Sequence, residues 1–121
     1  MTTIEIYLWL NAVLYAAFSL WCLWKPTTTA TFTGLGLLNT SGRSEYFAIY
    51  VGLQGAWAAM FIACALNPDL QHAGIFYAVF IYAGLVLGRW ISIFQKGISS
   101  NKTYILAILE IVLGTWAAVL L

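Results

Sequence analysis

The sequence predicts an all-α fold, a four-helix transmembrane bundle, and three observations carry that reading. Only 7% of the 121 residues are charged, 63% are hydrophobic and the mean hydropathy is +0.90. A soluble domain carries about 25% charged residues because its surface faces water. Here there is nothing to cover such a surface, so lipid must cover it. Four apolar stretches, each near the ~20 residues that cross ~30 Å of hydrocarbon, are separated by polar or turn-forming segments. Finally, every lysine and arginine outside those stretches falls on one side of the implied membrane. The length allows one integral membrane domain, residues 1–121. A net charge of +1 leaves no polybasic face for nucleic acid.

The first span covers residues 4–24 and is closed by Lys25-Pro26. Its start carries Glu5 instead of a positive n-region, and its apolar run is too long for a cleaved leader, so a retained span is expected. One stripe at helical spacing reads Tyr7, Asn11, Tyr15, Phe18, Cys22, and its neighbour is small: Ala12, Ala16, Ser19. Lipid has no use for either, so this side is expected to face the bundle. Residues 25–43 are rich in Thr, Gly and Ser and read as a polar loop, with Phe32, Leu35, Leu37 and Leu38 able to dip into the interface. Gly34 and Gly36 do not make a dinucleotide fingerprint, because Asn39 stands where the third glycine belongs and no βαβ unit surrounds them.

The second span covers residues 44–66 and ends at the turn signal Asn67-Pro68-Asp69. Gly52, Gly55, Ala56, Ala59 and Ala63 suggest a close-packing ridge; another face carries Tyr50, Gln54, Trp57 and Phe61. The third span, residues 73–95, ends at Lys96-Gly97. It contains Gly84 and Gly88 four apart, continued by Ser92, which is expected to pack within the chain in preference to forming a dimer face. The fourth, residues 103–121, places Glu110 among Thr103, Ala107, Gly114 and Ala117, on the small side and away from the leucines and isoleucines.

Lys25, Arg43, Lys96 and Lys102 lie in the two loops on one side, and none lies in the short loop on the other. The positive-inside rule makes residues 25–43 a cytoplasmic loop and puts both termini on the external side. Cys22 and Cys64 then fall at opposite faces, roughly 20 Å or more apart, which excludes a disulfide between them.

Two full charges lie deep inside apolar runs: Arg89 in IYAGLVLGRWISIF and Glu110 in YILAILEIVLGTWAAVLL. At ~1.5 Å per helical residue, Arg89 is roughly 10 Å from the cytoplasmic face, Glu110 roughly 12 Å and Gln54 roughly 15 Å. The short connection between the third and fourth spans makes them antiparallel neighbours, so Arg89 is expected to reach Glu110. Each charge alone costs roughly 2.5–3.5 kcal/mol at mid-bilayer on insertion scales, and pairing removes most of that penalty. Three readings follow: a staple fixing the register of two spans; a binding site in which Arg89 and Glu110 hold a polar head with help from Gln54, Tyr50 and Glu45; or a proton-relay or enzymatic role for Glu110. The last requires Glu110 to exchange a proton, which a close guanidinium opposes. His72 stands without a Cys or Asp cluster, so neither a metal nor a cofactor is expected.

The patterns IYVGLQGAW (residues 49–57), LGRW (87–90) and Leu109-Glu110 resemble an uncharacterised bacterial family of small four-span membrane proteins in the broader DoxX-like group. The likeness covers about residues 45–114 and highlights Glu45, Gly52, Gln54, Gly88, Arg89 and Glu110. It departs at Phe47-Ala48, where an Arg-Ala is expected, and at Val51-Gly52, where a double glycine is expected. The resemblance implies a bacterial inner (cytoplasmic) membrane protein with no settled activity, although some DoxX-like members are linked to membrane redox systems. The expected function is a non-catalytic accessory or scaffold bundle, with a second copy or another membrane protein as partner. The alternative is a binder or transporter of a lipid-like or quinone-like molecule at Arg89, Glu110 and Gln54.

Overall fold

The computed structural model describes residues 1–97 and 101–121. The described residues are overwhelmingly helical and include no strand. In chain order the elements are α1 (Thr3–Trp24), α2 (Pro26–Thr33), α3 (Thr40–Tyr46), a π-helical segment (Phe47–Leu53), α4 (Gln54–Leu66), a 3₁₀ turn (Pro68–Leu70), α5 (Gln71–Lys96) and α6 (Asn101–Leu120). The second span is continuous through α3, the π segment and α4. Four helices are long and apolar enough to cross a membrane: Thr3–Trp24, Thr40–Leu66, Pro68–Lys96 and Asn101–Leu120, with mean hydropathy from 1.6 to 1.9. They belong to two compact units, Met1–Pro68 and Asp69–Leu121.

Local chemistry sets the ends of these helices. Thr2 caps α1 by accepting from the Glu5 amide at 3.2 Å, and Glu5 complements the positive end of the helix dipole. Pro26 follows as the first residue of α2, where its missing N–H costs nothing. That helix stops at Gly34, whose φ of 85° is a left-handed conformation that a side chain resists. Leu35 then donates to the Ala30 carbonyl at 2.7 Å. The polar stretch expected as a loop is therefore half helical, and the second span begins at Thr40, capped by Asn39 through the Gly42 amide at 2.8 Å.

In the first unit α1 packs along α4 and the π segment. The stripes read from the sequence face inward: Tyr7, Asn11, Ala12, Ser19 and Cys22 are buried, and Tyr15, Ala16 and Phe18 are partly so. Asn11 satisfies its amide by donating to the Tyr7 carbonyl at 2.8 Å. Tyr15 stacks on Phe61 at 6.0 Å and meets the edge of Trp57 at 5.3 Å. Trp57, out of place in an interfacial belt, is thus a packing residue.

Within the first unit, the small-residue ridge of the second span is not the face that packs on α1. Gly52, Ala56, Ala59 and Ala63 are exposed, whereas Ala58, Phe61, Cys64 and Ala65 are buried and Tyr50, Gln54 and Trp57 are half-buried. Gly55 of that ridge does approach α1, its Cβ position lying 3.3 Å from Ser19 Oγ. Aromatic surface decided the packed face: burying rings against rings gains more dispersion contact than burying methyl groups does.

In the second unit α5 packs on α6. The inward stripe of α5 is Ile75, Ala78 and Tyr82, followed by half-buried Leu85, Val86 and Arg89; Gly84, Gly88 and Ser92 are exposed. Within the second unit nothing lies within 4 Å of a Cβ placed on Gly84 or Gly88, so the motif is not part of the α5–α6 contact. Gly84→Ala and Gly88→Ala should therefore leave the melting of the protein in detergent unchanged, or raise its stability by less than about 1 kcal/mol through helix propensity. A clear loss on melting would reveal a partner seated on this ridge.

Candidate functional site

Arg89 on α5 and Glu110 on α6 meet in a two-point ion pair. Arg89 Nε donates to Glu110 Oε1 at 2.7 Å and Nη2 donates to Oε2 at 2.9 Å. The helices deliver the two groups to one level because they run antiparallel. Tyr82 lies against Gly114, and further along α5 Arg89 lies against Glu110, further back along α6. On α6 Ala107, Glu110 and Ala117 are buried and Gly114 is half-buried, as the spacing predicts, and Leu113 is buried beside them, which the small-residue stripe did not include.

A planar fork facing a carboxylate satisfies both oxygens with parallel charge-assisted bonds, which an ammonium could not do. Their side chains retain 27% exposure for Arg89 and 11% for Glu110, so the anion is the more enclosed partner. Removing either partner strands the other at a depth where a lone charge costs roughly 2.5–3.5 kcal/mol.

The remaining residues singled out in the sequence lie on the N-terminal unit. Glu45 is exposed and Gln54 is half-buried. Tyr50 stacks on Tyr46 at 4.7 Å and turns an edge to Phe18 at 6.5 Å. A shallow depression of about 180 Å³ lies between Thr40, Arg43, Ser44 and Phe47, with the Arg43 guanidinium 4.5 Å above the Phe47 ring. Among the described residues no group of three or more His, Cys, Asp and Glu could hold a metal ion. Both cysteines are buried free thiols.

One buried polar cluster was missed in the sequence. The Tyr46 hydroxyl donates to Thr29 Oγ1 at 2.6 Å and also lies 3.4 Å from Cys22 Sγ. Thr29 Oγ1 in turn reaches the Lys25 and Pro26 carbonyls at 3.0 and 3.2 Å. The available signal was Pro26 opening a threonine-rich run: proline at a first helical position makes the stretch a short helix, which folds Thr29 back toward the end of α1.

Four crossing-length apolar helices, with a carboxylate–guanidinium fork inside the second unit, define a small multi-pass α-helical membrane protein. The chain belongs to the family described as a domain of unknown function, DUF4345, which matches residues 3–121. No curated protein and no solved structure matches it.

Proposed function

We propose that this protein is a non-catalytic accessory or scaffold protein of the bacterial inner membrane, in which Arg89 and Glu110 staple the third and fourth spans in register. The observation that carries this reading is the two-point fork between them, at 2.7 and 2.9 Å. A fork fixes both separation and rotation of the helices, which suits holding a shape better than exchanging a proton. The likeness to the DoxX-like group supports the bacterial membrane. The lysine and arginine bias supports external termini and a cytoplasmic 25–43 segment. Partners in this reading are the bilayer and a second copy or another membrane protein.

The test is a charge swap. Arg89→Glu and Glu110→Arg alone should each lower folding yield and stability, and the two together should restore most of both. Single variants as stable as the parent, or a swap no more stable than either single variant, would remove the staple.

A second reading rests on the greater exposure of the Arg89 side chain, 27% against 11% for Glu110. An accessible guanidinium could hold the head of a lipid-like or quinone-like molecule, with Glu110 beside it. In that case the swapped protein folds but loses a small molecule that mass spectrometry detects on the gently purified parent.

A further inference from the structure

The second span is not α-helical throughout. Across Phe47–Leu53 its main chain is a seven-residue π-helix between α3 and α4. Hydrogen bonds there close over five residues: the Gln54 amide, at the end of the segment, donates to the Ile49 carbonyl and shares its proton with the Val51 carbonyl. Such a turn accommodates an extra residue, is rare, and tends to occur where function requires it.

Two contacts hold it in place. Within the segment, Ser19 Oγ of α1 donates to the Val51 carbonyl at 2.8 Å. Just before it, Tyr46 is tied to Thr29 and lies against Cys22, with fractional exposures of 4% for Tyr46 and 0% for Cys22. Both contacts come from outside the span itself. Beyond the segment, α4 is seated on α1 by Tyr15, Trp57 and Phe61.

An extra residue in a helix can travel. As it passes a position, that residue leaves one helical lattice for the other, turning by about 100° and shifting by about 1.5 Å. We propose that the second span is a two-register helix. Its π turn moves from Phe47–Leu53 toward Thr40 while α4 stays seated, turning Tyr46 away from Thr29 and uncovering the Cys22 thiol. Ser19 is the catch that keeps the turn in its present position. The device lies wholly within the first unit and is independent of the Arg89–Glu110 pair.

The experiment follows N-ethylmaleimide labelling of Cys22 in the full chain reconstituted in phosphatidylcholine vesicles, with Cys64→Ala so that one thiol remains. Ser19→Ala should speed labelling about three- to tenfold, as loss of one buried hydrogen bond allows. Deleting the exposed Ala48 removes the extra residue, makes the span α-helical throughout and keeps the orientation of both flanks. In that background Ser19→Ala should no longer speed labelling. An equal acceleration with and without Ala48, or none in the full-length protein, overturns the proposal. Should the deletion fail to fold, hydrogen exchange on the full-length protein decides. Ser19→Ala should hasten exchange of residues 44–53 and leave residues 57–66 unchanged. A uniform effect on both segments, or none on either, rejects a moving turn.

Discussion

Glu110→Leu should lower stability by about 3 kcal/mol, as breaking one side of a buried pair does. The leucine fits the apolar surroundings, so the loss comes from Arg89, which is left at depth without its carboxylate. Reversible unfolding in mixed micelles, followed by tryptophan fluorescence, reads the change. Arg89→Lys should cost less, about 1 kcal/mol, because the charge persists while the fork is lost. Replacing both partners at once, Arg89→Met with Glu110→Leu, should recover most of the loss, since a buried pair exchanged for apolar residues of similar volume is often neutral or stabilising. A double variant as unstable as Glu110→Leu would mean that the pair does more than cancel its own desolvation.

Gly114→Leu should be the most damaging change on α6 that leaves every charge in place. A Cβ on Gly114 would stand 2.9 Å from Tyr82 Cβ, an atom one bond from its backbone and unable to swing aside. The helices must part, at a cost of about 2 kcal/mol for overpacking. Gly114→Ala should show the same sign, with the gain in helix propensity, up to about 1 kcal/mol, offsetting part of it. Because Arg89 and Glu110 lie on the same two helices, parting them at Gly114 also strains the fork. The two variants, Gly114→Ala and Glu110→Leu, should therefore be non-additive when combined. Strict additivity in melting experiments would show that the contact at Gly114 and the ion pair act independently.

The Arg89–Glu110 pair was legible because membrane burial makes it nearly compulsory. Charges on two apolar helices joined by a short connection have few ways to avoid lipid, and the residue count put both at one depth. Glu110 on the side of Ala107, Gly114 and Ala117 followed from helical spacing alone. The faces of the second and third spans were not legible. Glycine and alanine stripes are compatible with contact to protein or to lipid, since no hydrophobic difference separates the two environments. Trp57 and Phe61 of the second span meet Tyr15 of the first, and Gly84 and Gly88 of the third lie outside the α5–α6 contact. Depth alone links Gln54 with Arg89, and depth carries no information about direction around a helix.

By itself, the sequence determined that this chain is helical, that four of its helices can cross a membrane, and that its deep arginine seeks its deep glutamate. Those properties come from local composition and from the cost of an unpaired charge in hydrocarbon, and neither needs a partner to be specified. The tertiary structure alone decided which sides of the helices touch, why Gly114 must lack a side chain, and where the second span leaves the α-helical path. Each of these depends on atoms brought together from distant positions, as when Ser19 captures a carbonyl thirty-two residues away.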